Sequence, residues 1–397
     1  MQNSPHSTAH SDIAVVGSGI VGLAHARAAL RRGLTVTVIE ADHEPVGASV
    51  RNFGHCCITG QTGIAAELAE AGREHWLSAA SAAGFWARES GAYVAASSGA
   101  EMRVLKEAQR AQGAERIRLL DAAEIAAALG TAETGTSAAG TGATTAVGGA
   151  HLPRDLRVDP RTAAPALAAW LRAQPGVAVL TGTRALEIAP GGVLTTRGFV
   201  SADHTFACTG HHLQGLLPEL AERAGVRECA LNMALVDAPA HLTTDAAVLT
   251  GTSLLRYDAF STTAAAGPLR AHLAETEPAL LGIGANVMFA RRPDGSLLVG
   301  DSHAYAPTVG PFLDEDATEV LLTAAARILG TPSLRVRQRW QGVYASSETR
   351  PLVIEPLGSH ATAVTVATGI GMTLAFGLAE HTLTGLEAET GVAALAP

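Results

Sequence analysis

A chain of 397 residues with 28 Lys+Arg, 37 Asp+Glu and a formal net charge of −9 carries no basic surface for nucleic acid, and that acidity is ordinary for a soluble enzyme. Its aromatic content of 4% is too low for a base-stacking platform, and no run reaches the roughly 18 uninterrupted apolar residues of a membrane span. Such a length can bury a large core and is expected to form two domains. The four cysteines, Cys56, Cys57, Cys208 and Cys229, show neither metal-ligand spacing nor the density of a secreted disulfide scaffold, so a reducing cytoplasm is expected and no metal site is assigned.

Residues 1–11 are polar, with no cationic start or apolar run, and read as a disordered leader rather than a signal peptide. From Asp12 the chain reads as strand, tight glycine turn (Gly17, Gly19, Gly22), helix, and a second strand over residues 35–39 closed by Glu40. Each part has a chemical reason. Gly17 turns without a side-chain clash, Gly19 lets the backbone approach a pyrophosphate, and Gly22 lets the helix pack closely on the strand. The helix start at Ile20 and Val21 offers free N–H groups and a positive dipole end to phosphates. Glu40 is placed to accept from a ribose 2′-OH. That suits an unphosphorylated ribose and argues against NADP, but it does not separate NAD from FAD.

A glycine-rich turn follows at residues 46–55, then helical stretches at 65–73 and 75–90. Residues 131–149 are low-complexity Ala/Gly/Thr and read as a mobile surface excursion. A helix is expected over 161–172, its Pro165 tolerated in an early turn. Strands follow at 177–180 and 185–189, and an apolar strand from Thr205 ends in Thr209-Gly210. Strand-like runs then occupy 230–236, 253–257, 286–290 and 297–300, the last two joined by a hairpin turn at 292–295. A helix over 318–329, a strand at 363–367, a loop at 368–372 and a helix from Thr373 to about residue 385 complete the chain. The order points to an α/β fold with a discontinuous Rossmann-like dinucleotide-binding domain (residues 12–90, 150–225 and 331–397). An α+β, sheet-based substrate domain (91–149 and 226–330) is inserted in it.

These residues resemble the D-amino-acid-oxidase-like FAD oxidoreductases, the group that includes glycine oxidase and monomeric sarcosine oxidase. Three pieces carry the likeness over nearly the full length. They are the first glycine turn with Glu40; Ala48-Ser49 followed by Asn52 and Gly54, similar to the loop that passes the flavin ring; and the late segments at Thr209-Gly210 and Gly369-Ile370-Gly371-Met372-Thr373. In the family the last of these starts a helix aimed at the pyrimidine edge of the isoalloxazine, where backbone donors stabilise negative charge on the reduced ring. The resemblance implies FAD as cofactor. Covalent tethering in sarcosine oxidase relatives uses a C-terminal cysteine, and none lies beyond Cys229, so non-covalent FAD is expected; Cys56 and Cys57 read as inert buried thiols, with a redox-active pair or a flavin tether as the alternatives.

A finer likeness lies in Arg51-Asn52-Phe53-Gly54-His55, Gly60-Gln61, Gly300-Asp301-Ser302-His303 and Pro311-Phe312, which are similar to a branch associated with aminophosphonate catabolism. Relatives such as glycine oxidase carry an Arg that forks onto the substrate carboxylate; Tyr344 stands in that slot here. A planar guanidinium is the natural partner of a carboxylate, so anion binding is expected from Arg51, His55, His303 or Arg350 instead, beside Tyr344. The expected activity is FAD-dependent oxidation of a small primary or N-methyl amine, such as 2-aminoethylphosphonate or its N-methyl form. Hydride transfer to flavin gives an imine, water hydrolyses it, and O₂ is the expected acceptor. No catalytic acid–base residue is assigned. Glycine-, sarcosine- or D-amino-acid-type oxidation, an NAD-dependent dehydrogenase and a non-catalytic flavin protein stay open, as does a monomer or a small homo-oligomer.

Overall fold

The computed structural model describes residues 10–133 and 146–390. Most of the expected leader and of the 131–149 excursion lies outside them. The strand β1 (Ser11–Val16) has Ile13, Val15 and Val16 in a nearly continuous buried run, the pattern of a strand covered on both faces. It pairs in parallel with β2 (Val36–Ile39) on one side and with the strand Gly198–Ala207 on the other. Val177–Leu180 extends the parallel set beyond β2, and Ala361–Val366 extends it beyond Gly198–Ala207. Antiparallel strands Ala185–Ala189, Gly192–Thr195 and Leu352–Pro356 complete this eight-stranded sheet. Segments far apart in sequence therefore build one nucleotide-type sheet, as the discontinuous Rossmann-like reading requires.

The helix α1 (Ile20–Arg31) joins β1 to β2, and the closing helix Gly371–Thr390 packs against it and against the helix Gly63–Ala83. That last helix is continuous, where a break near residue 74 and an extension to 90 are expected from the sequence. Glu74 is exposed, so a polar residue interrupts the pattern without interrupting the backbone. The left-handed Gly84 (φ +74°) caps the helix, and a short strand Ala87–Arg88 follows. The close approach depends on small residues: a Cβ on Gly377 would lie 1.9 Å from the Leu68 carbonyl oxygen. Trp76, fully buried, stacks edge-on with Phe85 and Phe376 and donates from Nε1 to the Met372 carbonyl at 2.9 Å.

The second, nine-stranded sheet draws Ala92–Ala96, Arg118–Leu120 and Gly148–Leu152 together with Arg227–Asp237 and the strands after it. The Met288–Arg291/Ser296–Gly300 hairpin forms around the expected turn, with Gly295 N–H donating to the Arg292 carbonyl. Two expectations need correction. Residues 253–257 form a 3₁₀ turn (Ser253–Leu255) leading into a short helix, because backbone N–H groups of 253–257 close onto carbonyls three or four residues back. The strand Val336–Ser346, expected with the nucleotide unit, pairs along Arg227–Asp237, so the change of sheet comes after Ser346 and not near 331. Its length and side-chain alternation suit either sheet; only the partner decides. No helix among the described residues is long and apolar enough to cross a membrane.

Candidate active site

A cavity of about 670 Å³ runs from the carboxyl ends of the parallel strands to the face of the nine-stranded sheet, the place where open α/β sheets bind ligands. At its first end the β1–α1 turn is tight. Gly17 has φ +103°, and a Cβ there would sit 2.5 Å from the Cys208 carbonyl oxygen. Gly22 does not line the cavity; a Cβ on it would lie 2.0 Å from the Gly17 oxygen, so it serves the strand–helix contact. Glu40 accepts from Ser18 N–H and Ser18 Oγ at 2.7 Å each and from Asp42 N–H at 2.9 Å. It thereby fixes the turn, and it lines the cavity. Thr209 Oγ1 is buried at the cavity wall with no hydrogen-bond partner among the described residues. A dinucleotide's diphosphate at the helix start and its ribose beside Glu40 fit these groups.

In the middle, Ala48, Ser49 and Asn52 form one cap. Ser49 Oγ accepts from Ile20 N–H at 2.8 Å, and Asn52 Nδ2 donates to the Ala48 and Ser49 carbonyls at 2.8 and 3.0 Å. Asn52 Oδ1 in turn accepts from Gly54 N–H at 2.7 Å. Gly54 itself is off the cavity, pressed against Val158. Gly210, Gly369, Gly371, Met372 and Thr373 all line the wall, and Thr373 Oγ1 accepts from Cys57 N–H at 3.0 Å. The start of the closing helix thus faces the cavity. Arranged this way, the walls can hold a flavin ring between the 48–57 loop and the helix start.

At the far end the structure departs from the expected anion residues. Arg51 lines the cavity and donates to the Gln341 carbonyl at 3.2 Å. His303 lines it too, its Nδ1 bonded to the Gly284 carbonyl at 2.9 Å; burial, and then Arg256, hold the ring below the ordinary histidine range. His55 is buried and its Nε2 is bonded to Asp155 at 2.8 Å, while Asp155 Oδ1 accepts from Thr59 N–H at 2.7 Å. Asp155 and Cys57 lie near enough to His55 to hold a metal ion; burial raises the Cys57 thiol well above its usual range, and hydrogen bonds already occupy the carboxylate. Arg350 is a correction: it does not line the cavity but pairs with Glu355 at 2.9 Å. The register of the hairpin Leu352–Pro356/Ala361–Val366 carries Glu355 to it.

Arg256 is the residue that sequence reading missed. It donates from Nη2 to Tyr344 Oη at 3.1 Å and to the Thr368 carbonyl at 2.9 Å, and no carboxylate among the described residues pairs with it. Tyr344 therefore replaces a guanidinium only in sequence, because another one arrives beside it from the 3₁₀ turn. Assigning residues 253–257 to a strand hid this. Asp301 and Asn286 line the same end, their backbones exchanging N–H···O bonds at 2.8 and 3.0 Å.

The family of FAD dependent oxidoreductases designated DAO matches residues 12–383. The chain belongs to this family. As a DAO-family FAD-dependent oxidoreductase it takes FAD as its cofactor, and the glycine turn, Glu40 and Thr209 are groups that suit it. Among solved structures, glycine oxidase from Bacillus cereus is 17% identical, with 96% of each chain covered and a TM-score of 0.75. Iminodiacetate oxidase from Chelativorans sp. BNC1 is 18% identical over 97% of each chain (TM-score 0.71). FAD-bound L-α-glycerophosphate oxidase from Mycoplasma pneumoniae is 18% identical over 96% of this chain and 95% of that one (TM-score 0.72). These share the fold. A search of curated proteins finds no match.

Proposed function

We propose that the enzyme oxidises a small primary or N-methyl amine with an anionic head, an aminophosphonate such as N-methyl-2-aminoethylphosphonate or 2-aminoethylphosphonate in preference to an amino acid. The observation that carries this reading is Arg256, a guanidinium in the cavity wall with no carboxylate partner among the described residues, with Arg51 on the same cavity. A phosphonate has more charge and a third oxygen than a carboxylate, so it can recruit dispersed donors such as Arg256, Arg51 and the Tyr344 hydroxyl. The glycine oxidase and iminodiacetate oxidase likenesses are consistent with an amine donor.

When bound, FAD supplies the two-electron acceptor for the amine's α-hydrogen, with O₂ proposed to reoxidise it. The chain's own part is placement. Arg256 and Tyr344 hold the anion, and the walls around Met288 and Tyr257 exclude water. The start of the closing helix lines the cavity and would offer its positive dipole end to a bound flavin.

Anaerobic bleaching of the flavin by five compounds tests this. The two phosphonates are expected to bleach it faster than glycine, sarcosine or D-alanine. If sarcosine or D-alanine leads instead, the head group is a carboxylate, and Arg256 binds it as a fork.

A further inference from the structure

We propose that Asp301, helped by Asn286, holds the substrate's ammonium group and takes a proton from it before oxidation. This rests on the amine-oxidation reading above and adds an acid–base residue to it. Asp301 lines the cavity, yet the residue is only 6% exposed and its Oδ1 has no hydrogen-bond partner among the described residues. Asn286, 4% exposed and beside it, likewise has an Oδ1 without a partner. Buried acceptors left unpaired are costly and rare. Two of them side by side on a cavity wall call for a donor, and a protonated amine brings two or three N–H groups.

The cavity's charge distribution agrees. Groups facing Asp301 are Arg256 and Tyr257 from the segment after the 3₁₀ turn and Cys229 from the strand Arg227–Asp237, with His303 two residues further along its own loop. His303 is held neutral, and Arg256 gives its hydrogen bonds to Tyr344 and Thr368. Arg256 and Asp301 lie close enough to act on each other's charge, so the wall offers a cation and an acid near one another, as a short zwitterion with its amine a few bonds from its anion requires.

Burial pushes the Asp301 carboxyl up to about 7, against the pull of Arg256, which suits a base working near neutrality. In the proposed step a substrate N–H bond breaks and an Asp301 O–H bond forms. The electron pair stays on nitrogen, where it would assist loss of the α-hydrogen with its bonding pair, FAD being the two-electron acceptor that the bound cofactor would supply. The resulting iminium takes up water, and the carbon–nitrogen bond breaks to give an aldehyde and an amine or ammonia.

The test is the pH profile of anaerobic flavin reduction at subsaturating amine, with flavin content checked for each variant. In the wild type the rate constant should rise to about pH 7, where Asp301 ionises, and then level until the amine itself deprotonates near a lysine-like pKa of roughly 10.4. In Asp301→Asn it should climb tenfold per pH unit through that range. The deficit should be roughly 10²- to 10³-fold at about pH 7.5 and should close near the amine's own pKa, because only the neutral fraction reacts. Asp301→Glu should keep a plateau. Identical profiles for wild type and Asp301→Asn would overturn the assignment. Should Asp301→Asn fail to hold flavin, the wild-type profile decides alone: a plateau supports the base, an unbroken climb to the amine's pKa refutes it. If no amine reduces the wild-type flavin, the amine reading falls, a failure distinct from that of Asp301 alone.

Discussion

Single residues in this protein act through what their neighbours leave undone. Gly19 shows this at the nucleotide end: a Cβ there meets only Ser49 Oγ, at 3.3 Å, so the protein tolerates a side chain that the ligand would not. Gly19→Val should fold and purify with little or no FAD, since the branched side chain occupies the diphosphate's approach. Full flavin content by absorbance would refute that placement. Arg256 and Arg350 make the opposite pair. Arg256 faces the cavity, whereas Arg350 is committed to Glu355. Arg256→Ala should lower kcat/KM for the phosphonate by about 10- to 150-fold, the loss of a charge-assisted contact of roughly 1.5–3 kcal/mol. Arg350→Ala should leave it essentially unchanged, because that side chain is paired with Glu355 and does not line the cavity. Reversal of that order in steady-state assays would mean that the anion sits elsewhere.

Elements are tied together by buried polar side chains as well as by apolar packing. His25 in α1 donates from Nδ1 to the Val21 carbonyl at 2.7 Å, and its Nε2 bonds the Thr382 hydroxyl of the closing helix at 2.9 Å. Its ring is fully buried, and that burial lowers its pKa to about 4. The unfolded chain binds a proton there near pH 6.5, which the folded chain refuses until about pH 4. Stability from this residue is therefore complete above pH 6.5, declines as pH falls from 6.5 to 4, and then falls no further. The loss amounts to roughly 3 kcal/mol. Urea unfolding of wild type and His25→Gln at about pH 7.5 and pH 4.5 checks it: the wild type should lose more stability between the two than the variant. Equal losses would place the acid sensitivity in another histidine.

At the scale of the whole molecule, the two large sheets meet across the small sheet of His55–Cys56, Ala87–Arg88 and Leu156–Val158. Arg157 is fully buried there. It donates to the Asp245 carbonyl at 2.9 Å, the Arg291 carbonyl at 3.2 Å and the Gly54 carbonyl at 3.3 Å, binding loops of the second sheet to the loop that caps the cavity. A cofactor spanning that junction adds its own binding energy to folding, about 2.7 kcal/mol at a free concentration of 100 times Kd. FAD is expected to be held without a covalent bond. Cys57 and Cys208 line the cavity and Cys56 is fully buried beside Cys57; burial raises all three thiols well out of the thiolate range. Acid precipitation should leave the yellow colour in the supernatant; a yellow pellet would mark a tether.

Locally encoded features were legible in the residues alone. The β1–α1–β2 unit, Glu40, the 292–295 hairpin and the late Gly369–Thr373 turn each depend on neighbours a few residues away, so glycine placement and apolar periodicity suffice to reveal them. Whatever depends on a distant partner was not legible. Val336–Ser346 joins the second sheet because Arg227–Asp237 offers it an edge, and Arg350 leaves the site because a hairpin register brings Glu355 to it. Arg256 and Asn286 carry no motif, and Asp301, although it sits in the Gly300-to-His303 segment, shows nothing there that marks it as an acid facing a cavity. Tertiary structure alone puts one guanidinium and two unpaired acceptors on the same cavity wall, because burial and hydrogen-bond partnership are properties of the packed chain and not of any stretch of it.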